Sequence, residues 1–120
     1  MAGQEVRFTV GFTIPAENLE QFKAIAQAMI ASTQSETGTL GYDWFYSSDG
    51  SRCRLIEAYV DSDAVLVHMT GYAVRELVPK LAAIAGITGF EVYGDPGTQA
   101  GTILAGLGAE IFDLQAGLSR

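Results

Sequence analysis

The chain has 120 residues, with 7 basic and 14 acidic side chains and a formal net charge of −7. This length predicts one domain with a real hydrophobic core, and the acidic charge argues against nucleic acid and anionic membranes as partners. Apolar residues make up 48% of the sequence and charged residues 18%, against about 25% charged in a typical domain. We therefore expect self-association to cover part of an unusually apolar surface.

Cysteine usage and the N-terminal segment predict a cytoplasmic protein. Cys53 is the single cysteine, and the first ten residues have neither a basic segment nor a continuous apolar segment typical of an export signal. No uninterrupted apolar stretch reaches the ~18 to 20 residues of a membrane span. No membrane partner is expected.

The first part of the chain predicts a strand and then a long helix. Apolar residues alternate with polar or small ones over residues 6–12, which is the period of a half-buried β-strand. Pro15 suits the first turn of a helix, and apolar residues recur every three or four positions over residues 16–34. One face of this helix should be buried.

Two stretches rich in aromatic and β-branched residues, 40–47 and 52–60, flank Asp49-Gly50. This dipeptide is the strongest short-range hairpin signal, and a two-residue turn there would fix the register of both strands. One face of the hairpin would carry Leu40, Tyr42, Trp44, Tyr46, Cys53, Leu55, Glu57 and Tyr59. The other face also carries apolar groups such as Phe45, so we expect both faces to be partly covered.

The order of predicted elements indicates a ferredoxin-like fold. After the hairpin, Ser62 predicts the N-cap of a short helix, and helical spacing resumes over residues 74–84 with a kink or restart at Pro79. Residues 90–93 predict a fourth strand. This β-α-β-β-α-β order is an α+β fold, a four-stranded antiparallel sheet with helices on one face. A second copy of the sheet is the most economical cover for the opposite face, which predicts a homodimer.

Residues 95–120 are predicted to be a C-terminal extension of the ferredoxin-like domain, which spans residues 1–94. Apolar residues at helical spacing are interrupted by Gly106 and Gly108, each of which costs ~1 kcal/mol in a helix interior. We therefore predict a short helix to about Leu107 and a strand over residues 110–116. This extension would pack on its own domain or on a partner subunit.

The sequence holds no motif for a metal or a cofactor. With one histidine and one cysteine, no cluster has the ligand spacing of a zinc site, and no loop matches a calcium site. The glycine-rich patterns of dinucleotide and nucleotide sites are also missing. We expect neither a metal nor a cofactor.

His68 and Glu57 are the residues best suited to acid–base chemistry. An imidazole, with an ordinary pKa of ~6.5, transfers protons in both directions near neutrality, although a lone histidine also packs in cores. Glu57 can orient His68, act as acid or base itself, or belong to a structural network with tyrosine hydroxyls. The aromatic row would stack on a flat ligand, or form the core under the helices. The predicted substrate-binding residues are Tyr42, Trp44, Tyr46 and Leu55.

The segments 36–45 and 55–68 resemble the antibiotic biosynthesis monooxygenase (ABM) family. The family pattern is an acidic residue and a glycine before an aromatic strand, then Glu-x-aromatic, a helix start, an alanine and a histidine. The resemblance covers about residues 5 to 94, and the spacing from Glu57 to His68 is its most specific element. The matching positions are Glu36, Gly38, Tyr42, Glu57, Tyr59, Ser62, Ala64 and His68.

The resemblance implies a dimeric α+β barrel, in which two ferredoxin-like sheets pack face to face and each subunit holds an apolar pocket. It adds Tyr59 to Glu57 and His68 as catalytic residues. Activities in the family include cofactor-free oxidation of anthrone-like or quinol-like compounds, haem degradation and isomerisation of small sugars. Haem-degrading relatives carry an Asn on the first strand and a Trp where this chain has His68. The single Asn here is Asn18 on the first helix, which disfavours haem degradation.

Three hypotheses for function remain open. In the leading one, a cofactor-independent monooxygenase, His68 removes a phenolic proton from a small aromatic or quinol-like compound and the anion reacts with O2. Tyr42, Trp44 and Tyr59 would hold the ring and exclude water. In the second, Glu57 and His68 serve an isomerase or lyase without O2. In the third, the chain is a non-catalytic binding or dimerisation module.

Overall fold

The computed structural model describes residues 4–120, and its elements follow the predicted order, including the helix and the strand of the C-terminal extension. The strands are β1 (Val6–Thr13), β2 (Thr39–Tyr46), β3 (Arg52–Tyr59), β4 (Gly86–Tyr93) and β5 (Glu110–Phe112). The helices are α1 (Leu19–Thr33), α2 (Ser62–Met69), α3 (Val78–Ile84) and α4 (Thr98–Gly106). A 3-10 turn (Ala16–Asn18) precedes α1, and a π-helical turn (Ala73–Leu77) precedes α3.

The strands form one five-stranded sheet in the order β2-β3-β1-β4-β5. β1 pairs antiparallel with both β3 and β4, and β2 pairs antiparallel with β3. This is the ferredoxin-like arrangement, and it confirms the predicted fold class. Side chains of β1 alternate in burial, because Val6, Phe8, Val10 and Phe12 pack under the helices.

From Tyr42 to Tyr46 the β2–β3 hairpin has the register that a turn at Asp49-Gly50 predicts, but its turn is longer than predicted. Tyr46 pairs with Cys53, but β2 ends at Tyr46 and β3 begins at Arg52. The predicted two-residue turn is therefore wrong. Asp49 organises the loop instead, since its Oδ1 accepts hydrogen bonds from the Ser47 hydroxyl and from the N–H and hydroxyl of Ser51. These three bonds lower the pKa of Asp49 to about 2.

The start of β2 is also irregular. Thr39, rather than Leu40, pairs with Tyr59, because the register shifts between Thr39 and Gly41. Leu40 is consequently 59% exposed, so its predicted place on the same face as Tyr42 and Trp44 is wrong.

The helices after the hairpin differ from prediction in their ends. Asp61 rather than Ser62 is the N-cap of α2, since its Oδ1 accepts the N–H of Ala64 at 2.9 Å. Pro79 lies in the first turn of α3, directly after the π-helical turn, which confirms the predicted restart. β4 begins earlier than predicted, because its ladder with β1 extends back to Gly86.

Two clusters of buried side chains fill the space between sheet and helices. One surrounds α1 and α3 and includes Phe22 and Leu81. The other lies under α2 and α4 and includes Val65 and Leu104. Polar side chains buried in such a core need partners. Among residues 4–120, the buried polar residues are Thr33, Glu57 and His68.

The C-terminal elements pack on the chain itself. α4 lies against α2, and β5 pairs in parallel with β4 at the sheet edge opposite β2. Phe112 stacks on Tyr93 with ring centroids 5.5 Å apart. The strand ends at Phe112, before the predicted residue 116. Within residues 4–120, none of the helices has the length and apolar character needed to cross a membrane.

Candidate functional site

A cavity lies between the sheet and the helices, where the two buried clusters meet. Its walls come from the first four strands, from α1, α2, α3 and the π-helical turn, and from Leu107 just after α4. The centre of a water molecule can move within about 80 Å³, several times the ~10–15 Å³ that one water needs. Tyr42, Glu57 and His68 are the side chains with polar groups in an otherwise apolar lining.

Helix α2 places His68 on the cavity wall. The helix starts at the Asp61 cap and buries the face that carries His68, whose side chain is 3% exposed. The imidazole lies between the rings of Tyr42 and Tyr59, with centroid distances of 5.2 Å and 5.4 Å. Because the ring is enclosed, both of its nitrogens depend on protein groups for hydrogen bonds.

Glu36 holds the Nδ1 side of the imidazole. It follows the end of α1, where its N–H donates to the carbonyl of Thr33 at 2.9 Å. Its Oε1 lies 2.8 Å from His68 Nδ1, and a Cβ at Gly71 would come within 3.1 Å of its Oε2. A carboxylate at this distance makes Nδ1 a hydrogen-bond donor and fixes the orientation of the ring.

Glu57 faces the other imidazole nitrogen. It projects from β3 opposite Tyr42, and its Oε1 lies 3.5 Å from His68 Nε2. Burial raises the pKa of Glu57; the nearby His68 and the Tyr59 hydrogen bond oppose this shift, and the charge of Glu36 adds to it. The Glu57 carboxyl therefore favours its protonated form more than an exposed carboxyl does.

The Tyr59 hydroxyl contacts the Glu57 carboxyl. The hydroxyl donates a hydrogen bond to Glu57 Oε1, and burial together with the Glu57 charge raises the pKa of Tyr59. The phenol consequently keeps its proton and remains a donor. Tyr59 is outside the cavity lining, so it positions Glu57 without facing the cavity.

The arrangement provides an acid and a base on one wall of the cavity. With Nδ1 committed to Glu36, a proton can reside on His68 Nε2 or on Glu57. Burial raises the pKa of Glu57, so its carboxyl can hold a proton beside the imidazole nitrogen that is not committed to Glu36. Pairs of this kind perform general acid–base catalysis.

The predicted substrate-binding residues separate into two groups. Tyr42 and Leu55 line the cavity. Trp44 and Tyr46 do not line the cavity, because α1 covers the end of β2 that carries them. Both rings pack edge-on against Phe22. The four side chains share one face of the sheet, but the helix covers only part of that face.

Sequence reasoning missed Glu36 as the partner of His68. The residue belongs to the motif, but the two positions are 32 residues apart, and no spacing rule connects the end of one helix with another helix. The contribution of Leu107 to the cavity was also missed, since it requires the fold of the extension. In the part of the chain that the structure describes, no group of three or more His, Cys, Asp or Glu side chains is arranged to hold a metal ion.

Comparison with known proteins agrees with this fold. Residues 6–80 match the family model described as antibiotic biosynthesis monooxygenase. The chain belongs to the antibiotic biosynthesis monooxygenase family. No match was found among curated proteins.

Solved structures of this family's fold differ in how much of the chain they cover. MupZ from Pseudomonas fluorescens is 28% identical with a TM-score of 0.82, covering 98% of this chain and 95% of its own. Rv0793 from Mycobacterium tuberculosis is 21% identical with a TM-score of 0.64, covering 78% and 97%. A third protein, named antibiotic biosynthesis monooxygenase, is 22% identical with a TM-score of 0.64, covering 72% and 92%. The similarity to MupZ therefore extends through the C-terminal elements.

Proposed function

We propose that the chain is a cofactor-independent monooxygenase that oxidises a small aromatic or quinol-like compound with O2. The observation that carries the proposal is the position of His68 on an apolar cavity, with Nδ1 held by Glu36 at 2.8 Å and Nε2 directed at Glu57 at 3.5 Å. Such a histidine is oriented to take a proton from a bound phenol. Membership of the family supports the same reaction class.

The proposed reaction needs no group beyond the substrate, O2 and these side chains. His68 takes the phenolic proton, and the electron-rich anion adds O2 at a ring carbon. The protonated imidazole returns its proton to the resulting peroxide, which loses water as the ring C–H proton leaves. One oxygen atom ends in the quinone and the other in water. Tyr42 and Leu55 would hold the ring in the cavity, where exclusion of water strengthens these charge interactions.

A second function, an isomerase or lyase, is supported by Glu57. Burial raises the pKa of Glu57, so this carboxyl can donate a proton while His68 accepts one. An acid and a base on the same wall suit proton transfer between two positions of one substrate. This reaction consumes no O2, which separates it from the first.

The active unit is proposed to be a cytoplasmic homodimer. On the sheet face away from the helices, Phe45 is 53% and Ile56 is 41% exposed, and a second sheet would cover them. The buried free thiol of Cys53 is compatible with a reducing compartment. Analytical ultracentrifugation at micromolar concentration tests the dimer, and a monomer there would contradict it.

Oxygen uptake tests the proposed chemistry. Purified protein treated with chelator is assayed against anthrones, hydroquinones and catechols, beside His68→Ala and the control Val67→Ala, whose side chain on the same helix is 55% exposed. We expect uptake by the native protein and the control, and a loss of about 100-fold or more in His68→Ala, the usual contribution of a general base. Unchanged uptake in His68→Ala would overturn the mechanism. Substrate loss without uptake would favour the isomerase or lyase.

A further inference from the structure

The cavity opens to solvent at the start of β4. On the face of β4 that points towards the helices, Val92 is fully buried, Phe90 is partly buried and Ile87 is 48% exposed. Ile87 pairs with Phe12 of β1, which is buried. The helices therefore cover β1 but leave the first residues of β4 open, and Ile87 lines the cavity at this opening.

Leu107 is the other exposed side chain of the cavity wall, at 45% exposure. It ends α4 in a Schellman motif, in which the N–H of Ala109 donates to the carbonyl of Leu104 and the N–H of Gly108 to that of Ala105. Gly108 has a φ of 84°, as this motif requires. The backbone therefore holds Leu107 in place at the surface instead of leaving it on a free loop.

Polar groups are confined to the buried end of the cavity. Glu57 and His68 are buried, and Tyr42 packs against the imidazole with ring centroids 5.2 Å apart. The exposed and partly exposed remainder of the wall is hydrocarbon from Val74, Val78, Ile87, Phe90 and Leu107. A ligand that fits this wall has its polar group at the inner end, because a polar group farther out would lose water without gaining a partner.

We propose that the substrate carries a hydrocarbon substituent opposite its reacting hydroxyl, and that Ile87 and Leu107 select for this substituent. The hydroxyl meets His68, the ring fills the cavity, and the substituent lies against the two side chains on its way to solvent. The inference rests on the proposed function for the phenolic nature of the reacting group. The position of the hydrocarbon part follows from the lining. Each methylene that is fully buried strengthens binding about fourfold, so the gain ends where the chain passes Leu107.

Binding of substituted phenols tests the proposal without turnover. Phenol and its para-ethyl, para-butyl and para-hexyl derivatives are compared with two phenols whose para chains match butyl in length but end in a carboxylate or an ammonium. The ammonium controls for the net charge of −7. The 15N shifts of the His68 imidazole report binding, because the chain has one histidine and adsorption elsewhere on apolar surface does not reach it. Leu107→Ser is paired with Leu40→Ser, at an exposed leucine outside the cavity.

In the native protein we expect affinity to rise about two- to fourfold per methylene until the chain clears Leu107. Both charged chains should bind about tenfold or more weakly than para-butylphenol. Leu107→Ser should lower the ratio of para-hexylphenol to phenol affinity about threefold or more, whereas Leu40→Ser keeps the native ratio.

No saturable His68 shift with any of these phenols, or equal affinities along the alkyl series, would overturn the proposal from the native protein alone. So would a charged chain that binds as tightly as butyl, or the same ratio in Leu107→Ser and Leu40→Ser. Binding with the expected preference but without O2 uptake would refute the proposed function and leave the selection by Ile87 and Leu107 standing.

Discussion

Replacing Glu57 by glutamine tests the electrostatics of the site without a substrate. Burial raises the pKa of Glu57 above the ordinary value of 4.5, so above that pH the folded protein holds a proton that the unfolded chain has released. By linkage, the free energy of unfolding then falls as pH rises, by about 1.4 kcal/mol per pH unit for as long as Glu57 keeps its proton. The contribution is complete below the unfolded pKa and is lost as the pH rises through the folded pKa.

Glu57→Gln keeps an oxygen that accepts the Tyr59 hydroxyl and an amide that can donate to His68, but it does not titrate. We expect the stability of the variant relative to the native protein to increase as the pH rises above 4.5, with a slope of at most about 1.4 kcal/mol per pH unit for one proton. Urea unfolding at pH 5, 6 and 7, followed by the fluorescence of the single tryptophan, Trp44, measures this difference. Glu17→Gln, at an exposed carboxylate before α1, is the control for the change in charge.

A stability difference that stays flat across this range would refute the reasoning. It would mean that Glu57 is ionised throughout this pH range. In that case Glu57 could not serve as the acid of a proton-transfer pair, and the isomerase or lyase function would lose the observation that favours it.

Further predictions concern the backbone and the free thiol. Burial raises the pKa of the Cys53 thiol to about 11, so at pH 8 a disulfide reagent should label native protein far more slowly than urea-unfolded protein; equal rates contradict this. Gly71→Ala should lower stability by about 1–3 kcal/mol through crowding, because its Cβ would lie 3.1 Å from Glu36 Oε2. Gly106→Ala, whose Cβ meets nothing within 4 Å, should instead stabilise by about 0.4–1 kcal/mol; thermal unfolding compares the two, and a similar loss in both would rule out crowding. Asp61→Ala should cost ~1 kcal/mol by removing the α2 cap, with Asp61→Asn restoring most of it; an unaffected melting temperature in the alanine variant would show that the cap contributes nothing.

The fold could be predicted because its signals are local and periodic. Alternation over residues 6–12 and helical spacing over residues 16–34 each report one buried face, and both elements formed. The errors arose where one side chain redirected the backbone. Asp49 accepts three hydrogen bonds and lengthens the hairpin loop. Asp61, rather than its neighbour Ser62, is the N-cap of α2. Each choice is decided by hydrogen bonds that spacing alone does not specify.

The site was only partly predictable for a different reason. Glu57 and Tyr59 share one face of β3, so their association follows from the period of a strand. The contact of Glu36 with His68 joins the end of α1 to α2, and depends on how the two helices pack. Trp44 shares the face of Tyr42 but lies 6.0 Å from Phe22 between ring centroids. Assigning a residue to one face of the sheet shows which way its side chain points. The position of the helix that covers this face decides which of those side chains line the cavity.

Leu107 belongs to a different part of the chain from the acid–base residues. The acid–base residues Glu36, Glu57 and His68 all lie within residues 6–80, the stretch that matches the family model. Leu107, after α4, lines the cavity from outside that stretch, as do Leu81, Ile87 and Phe90. Exchange of the C-terminal segment between relatives would therefore change the cavity wall at Leu107 and leave Glu36, Glu57 and His68 in place.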